Sequence, residues 1–241
     1  MAHAPSQQSP AKPRRTLREF LRANQPTLIW LLAFALLLLS NRMFLLRAFV
    51  IPSGSMTQTL AVGDHILVNE LAGTSLPLHR GDIVVFRDSQ GWLGESGTAG
   101  QFDPLAPVAD WLNGLRGHTT TGPHLVKRII GLPGDHVSCV GPCVHLFVNG
   151  RSIREPYLSK ESKYASDSSF DVTVPAGEVW VMGDNRVGSA DSRYHMTDPG
   201  RGFVPISDVM GTTFAVTWPV TRIHLLNDAG YKAFARVPEP K

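Results

Sequence analysis

Twelve consecutive residues without a polar side chain, LIWLLAFALLLL (Leu28–Leu39), constrain this chain more than any other stretch. In water such a run must be buried on every side, and the only other stable place for it is lipid. SNR (Ser40–Arg42) interrupts it and MFLL (Met43–Leu46) resumes it. A basic segment before an apolar core of this length fits a cleaved secretory signal. An uncleaved anchor from Leu28 to Leu46 also fits, spanning roughly 28 Å at about 1.5 Å per residue with Arg42 and Arg47 snorkelling outward. The residues after Leu39 lack a small-x-small cleavage pattern, which favours the anchor. A buried soluble helix is the third reading, and the cations that precede the run weigh against it.

Those cations are Lys12, Arg14, Arg15, Arg18 and Arg22, opposed only by Glu19. The formal net charge of the chain is +3, so this tail carries all of the excess and the remainder sits near −1. Binding to nucleic acid by counterion release needs basic residues clustered on the folded face, and no such cluster is present. The tail instead orients the anchor, with the N-terminus in the cytoplasm and everything after Phe49 outside. The expected layout is a basic cytoplasmic tail (1–26), a transmembrane anchor (27–47) and an extracytoplasmic domain (48–241).

Beyond Phe49 the pattern is one of short strands and turns, and 22 Gly and 18 Pro favour a β-rich body over a helical bundle. HILVNEL (65–71), GDIVVF (81–86), HLVKRIIGL (124–132), HLFVNG (145–150) and GTTFAVTWP (211–219) read as strands. DVTVPAGEVWVMG (171–183) reads as two strands about a turn. Residues 89–122 break the pattern and are expected to form a peripheral insertion with one short helix.

Directly after the apolar segment comes IPSGSMTQTL (Ile51–Leu60), a hinge carrying two hydroxyls. Most Ser-Gly-Ser turns are only turns, and this one lacks the second Gly of a nucleophile elbow. A nucleophilic Ser needs a base within reach and donors for the oxyanion. None of the nine His has a spacing that signals a triad. A Ser-Lys dyad needs a neutral Lys, whose ordinary pKa of about 10.4 must fall through burial. Lys127 and Arg128 lie together in an otherwise apolar strand, and alternation does not say which points inward. Only Lys127 can act as a base, because Arg does not deprotonate. A solvated Lys on an edge strand is the competing explanation.

At these residues the chain resembles the type I signal peptidases. PSGSM…TL after an anchor, GDHILVN (63–69), RGDIVVF (80–86), KRIIGLPGD (127–135), GDNRVGSADSR (183–193) and GFVPISDVMG (202–211) stand in that family's order. The single-anchor layout is similar to Gram-positive, actinobacterial-like members. The resemblance implies a mainly β, complex β-fold (signal-peptidase/LexA-like) behind one N-terminal transmembrane helix. It also implies a membrane-bound serine endopeptidase of the plasma membrane that removes signal peptides from exported preproteins without any cofactor. Ser55 matches the nucleophile and Lys127 the general base. The Ser55 N–H and the Ser53 hydroxyl match the oxyanion hole, and Ser189 matches a Ser that hydrogen-bonds the Lys. Asp191 and Arg193 match a supporting pair, while Asp184, Asn185 and Arg186 match a structural turn. The family commonly has Pro before its Thr-Leu, where this chain has Gln58; a loosened turn is the expected consequence. An autocleaving Ser-Lys repressor is disfavoured by the anchor and by the absence of DNA-binding helices. The alternative from another class is a non-catalytic, membrane-tethered β domain that binds exported or cell-envelope partners. Membrane lipid and preproteins are the expected partners, nucleic acid is not, and a monomer is expected.

Cys139 and Cys143 are the only cysteines. With His136 and His145 they could be drawn as a zinc site, but Cys-x-His is tighter than usual ligand spacing. A turn-closing disulfide suits an extracytoplasmic location and free thiols are the remaining option; no metal is expected.

Overall fold

Apolar runs that do not alternate need cover on both faces of a sheet. The computed structural model describes residues 24–44, 46–93, 124–159, 162–226 and 229–240. It divides into two units, Met1–Phe44 and Leu45–Lys241. In the first, helix α1 spans Gln25–Phe44. Among the described residues no helix is both long and apolar enough to cross a membrane. The unbroken apolar stretch is the twelve residues of Leu28–Leu39, about 18 Å of rise.

The second unit opens with β1 (Leu46–Val50), β2 (His65–Asn69), β3 (Ile83–Arg87) and β4 (His124–Gly131). There follow β5 (His136–Cys139), β6 (Phe147–Val148), β7 (Arg151–Ser152), β8 (Phe170–Thr173) and β9 (Glu178–Met182). The chain closes with β10 (Phe203–Pro205), β11 (Val209–Trp218), β12 (His224–Leu225) and a short helix α2 (Ala229–Phe234). One antiparallel sheet runs β1-β2-β11-β3-β4-β9-β10, with β12 on β11, and a smaller one runs β7-β6-β5-β8. The non-alternating strands β3 and β4 lie at the centre of the larger sheet, where the run of buried positions in each is accounted for. β2, next to the edge, buries only alternate residues, Ile66 and Val68. The smaller sheet closes over a core that contains Trp180, Phe170 and Phe203.

The body is therefore mainly β, as expected, with two differences in where elements lie. Leu46 and Arg47, read as the end of the apolar span, belong to β1, which pairs with β2 from Leu46↔Asn69 to Val50↔His65. Phe49 is buried there and Arg47 pairs with Glu70 at 2.7 Å, contacts that a membrane segment would not make. The short strands β5, β7, β10 and β12 were not expected, because two to four residues give too little alternation to detect. The helix expected within 89–122 falls largely outside the described residues, which stop at 93 and resume at 124. At the near flank Trp92 stacks on His195 at 4.3 Å between ring centroids, which makes this His a packing residue.

Gly-Asp recurs at four turns, and each Asp is buried: Asp64, Asp82, Asp135 and Asp184. A buried carboxylate is tolerable only when it is fully paired. Asp135 accepts from Leu132 N–H at 2.8 Å and pairs with Arg80 at 2.6 and 2.8 Å. Asp64 accepts from Ala61 N–H and pairs with Arg222. These pairs join boxes that lie far apart in the sequence.

Cys139 and Cys143 form a disulfide across the β5–β6 connection. Among the described residues no group of His, Cys, Asp and Glu could hold a metal. Alkylation of the denatured protein should label neither thiol before reduction and both after it, read by mass spectrometry. Labelling without reductant would contradict the bond.

Candidate active site

The chain after β1 turns through a short 3-10 helix, Gly54–Met56. Apolar anchoring fixes this turn, since Met56 and Leu60 are almost wholly buried in a cluster with Ile51, Ile66 and Val216. Burial of each such side chain contributes about 1.5–3 kcal/mol. Two backbone bonds at 2.9 Å, Ile51 N–H to Asp64 and Gly63 N–H to Ile51, hold the strand that leads into it. The segment after β9 grips the turn from the other side. Asn185 N–H donates to the Ser55 carbonyl at 3.0 Å, and Asn185 Nδ2 donates to the Gly54 carbonyl at 3.0 Å. Gly183 is required by closeness, because a Cβ there would lie 2.2 Å from Ser189 Oγ and 2.5 Å from the Ser55 carbonyl oxygen.

The two cations of β4 are both buried, which resolves the ambiguity in alternation. Lys127 lies opposite Val84 and Arg128 opposite Ile83 across the β3–β4 pair. Neighbouring residues of a strand point to opposite faces, and in this central strand both faces are covered. Lys127 is 2% exposed and Arg128 4%. Lys127 Nζ lies 2.8 Å from Ser55 Oγ. Burial pushes the amine down to about 8, and Asp191 and Asp184 pull against that fall. Ser53 Oγ lies 3.4 Å from Ser55 Oγ on the same turn.

Around this pair the charges are arranged as Arg–carboxylate pairs. Asp191 receives Arg193 Nε at 2.8 Å and Nη2 at 2.9 Å, with Gly183 N–H at 2.9 Å. Burial raises its pKa, but Arg193, the Gly183 amide and Lys127 outweigh that and hold the carboxyl below its ordinary value. Asp184 receives Arg128 Nε at 2.8 Å and Nη2 at 2.6 Å, and Thr59 Oγ1 at 2.5 Å. Arg186 pairs with Glu155 through both Nη atoms and also donates to the Ala165 and Gly183 carbonyls.

Ser55, Lys127, Ser53, Asp184, Asn185, Asp191 and Arg193 are thus brought to one site or its immediate support. Ser189 reaches it as well, but the hydrogen bond expected from its hydroxyl to Lys127 is not made: its Oγ is buried without a partner. Arg128, Glu155, Thr59 and Tyr157, whose hydroxyl donates to Glu155 at 2.7 Å, were missed as parts of this network. Their partners are 125 residues away for Thr59 and 56 for Arg128, with no local pattern that reveals them. One signal was available for Arg128, since a cation inside an apolar central strand requires a buried counter-charge.

Gln58 departs from the family's Pro with a larger effect than a loosened turn. Its φ is 94°, on the left-handed side that Pro, fixed near −65°, cannot enter.

The profile of the family described as "Signal peptidase, peptidase S26" matches residues 25–218. The protein named signal peptidase I of Mycobacterium tuberculosis is 36% identical over 232 residues, covering 88% of this chain and 76% of that protein. Signal peptidase I U of Bacillus subtilis is 30% identical over 210 residues, covering 85% of this chain and 92% of its own. A solved signal peptidase I from Enterococcus faecalis is 28% identical, covers 56% of this chain and 96% of that one, and has a TM-score of 0.35.

Gln58→Pro should lower the free energy of unfolding by an amount on the order of 1–3 kcal/mol, measured by denaturant unfolding. An unchanged midpoint would contradict the conformation given for this turn.

Proposed function

The chain belongs to the signal peptidase family, peptidase S26, and from that premise we propose how its residues remove signal peptides from exported preproteins. The observation that carries the reading is the 2.8 Å contact between a buried Lys127 amine and the Ser55 hydroxyl. Neutral Lys127 takes the proton of Ser55 Oγ as that oxygen attacks the scissile carbonyl carbon. The developing oxyanion is held by the Ser55 N–H and the Ser53 hydroxyl. The lysine ammonium then gives its proton to the departing amine, and the C–N bond breaks to leave an acyl-enzyme ester. Water attacks that ester while Lys127 accepts its proton, and return of the proton to Ser55 Oγ frees the acid product.

Arg193 with Asp191, and the Asp184–Asn185 turn, hold the two reacting groups in register. Ser189 lines the site at Gly183, and its buried hydroxyl without a partner is the group we assign to bond the lysine during the reaction.

We assign the N-terminal unit to the membrane as a single-pass anchor, with the basic tail inside and the catalytic body outside. Support comes from α1, whose Ile29, Trp30, Leu31, Leu32, Phe34 and Leu36 are all 57–75% exposed. Apolar exposure in consecutive positions covers every side of a helix, which suits lipid and not water. Chain connectivity then starts β1 two residues after α1, so the nucleophile follows the anchor by eleven residues. A membrane-tethered substrate needs a nucleophile in that region.

Ser55→Ala should abolish cleavage of a purified preprotein while leaving thermal unfolding unchanged within about 1 kcal/mol, and Lys127→Ala should be inactive as well. Lys127→Arg should be equally inactive, because its guanidinium keeps its proton. Turnover by the Lys127→Arg protein would overturn the dyad. Because the amine is depressed to about 8, it is mostly protonated at pH 7 and mostly neutral at pH 9. The pH profile of kcat/KM should therefore rise through a midpoint near 8, with activity at pH 7 about a tenth of the plateau. A profile flat from pH 6 to 9 would contradict this assignment.

A further inference from the structure

The disulfide joins Cys139 to a residue only four positions further along the chain. In the loop-entropy account a bridge this short restrains the unfolded chain least, so its value to the protein is more local than global. Cys139 is buried at the end of β5, while the loop it closes is open to water, with Val140 88% and Val144 59% exposed. Past the tip, the backbone of Cys143 pairs with Ser166 in an isolated antiparallel bridge. Cys143 N–H donates to the Ser166 carbonyl at 2.9 Å, and Ala165 N–H donates to the Cys143 carbonyl at 2.7 Å. Gly141 N–H donates to Ser169 Oγ at 2.6 Å. Residues 162–169 belong to no strand of either sheet, so these bonds set where the backbone of Ala165 and Ser166 lies.

The same two residues face the candidate active site. Arg186 Nη1 donates to the Ala165 carbonyl at 2.6 Å, and its Nε donates to the Gly183 carbonyl at 3.0 Å. Arg193 Nη1 donates to Ser166 Oγ at 3.4 Å, and its Nη2 donates to the Arg186 carbonyl at 2.9 Å. The turn held in this way carries Asn185, whose N–H holds the Ser55 carbonyl at 3.0 Å. Ala165, Ser166, Arg186 and Arg193 are all buried, so water does not replace a bond lost among them.

We propose that the Cys139–Cys143 bridge is a positioning element of the reaction: it fixes the Cys143 backbone, which places Ala165 and Ser166, and through Arg186 the turn that seats Ser55. The proposal rests on Ser55 being the nucleophile. A bond under an exposed loop thereby governs the seat of a buried hydroxyl.

The test is cleavage of one preprotein by the full-length chain in detergent, before and after treatment with a dithiol reductant. The dithiol gives two electrons and two protons to the S–S bond, leaves Cys139 and Cys143 as thiols, and closes into its own disulfide. Where circular dichroism shows the fold intact, kcat should fall roughly tenfold with KM unchanged within about twofold, and reoxidation should restore it. Cys139→Ser/Cys143→Ser should match the reduced parent and ignore the reductant. Hydrogen exchange should quicken at the Gly183 and Asn185 amides while the amides of β3 and β4 keep their protection. An unchanged kcat in the reduced, folded protein overturns the proposal. Unmoved exchange at Asn185, or a loss of protection spread over both sheets, overturns it too. Arg186→Lys keeps the charge but lacks the fork that joins Gly183 to Ala165, so reduction should change its kcat by less than about twofold. A tenfold fall there would break the route. If Arg186→Lys does not fold, the exchange pattern decides. If neither the reduced nor the double-serine protein folds, the bridge supports the whole body and not this turn, and the proposal fails. If Ser55→Ala still cleaves, the nucleophile reading fails instead, while exchange at Asn185 still reports on the bridge, so the two failures are told apart.

Discussion

Removing an amine from water costs far more when it is charged than when it is neutral, and this site is organised around that difference. Lys127 is 2% exposed, and its amine bonds the Ser55 hydroxyl at 2.8 Å. A buried ammonium would demand carboxylates of its own. The two that stand nearby are already committed to Arg193 and Arg128. Burial is left as the largest influence on the amine, and it favours the form that accepts a proton.

The same constraint shapes the fold around it. A lysine is buried this deeply only in a strand covered on both faces, and β4 has that position between β3 and β9. The serine, 8% exposed, sits on a turn after the edge strand β1. Apolar side chains at Met56 and Leu60 hold the turn down from one side, and Asn185 holds it from the other. Gly183 lets the two segments approach, since even a methyl group there would strike both Ser189 and the Ser55 carbonyl.

Much of this was legible before any coordinates. Apart from β1, the strands of five or more residues showed through their apolar patterns, and the order of the boxes pointed to a mainly β body and to Ser55 and Lys127. Alternation failed at Lys127 and Arg128 because it assumes one wet face, and β4 has none. The apolar pattern did not show that Leu46 and Arg47 belong to β1, since only pairing with β2 sets them apart from α1. The network of Thr59, Glu155 and Tyr157 left no trace, since long-range ion pairs have no spacing rule. The Ser189 hydroxyl, expected to bond the lysine, is instead buried without a partner.

The central claim is that burial lowers the Lys127 amine far enough for its neutral form to act as the base. The direct measurement is its titration in the intact protein by NMR, using lysine labelled at Cε and a Lys127→Ala control to assign the signal. A transition centred near 8 is predicted. A transition above 10, where exposed lysines titrate, would contradict it.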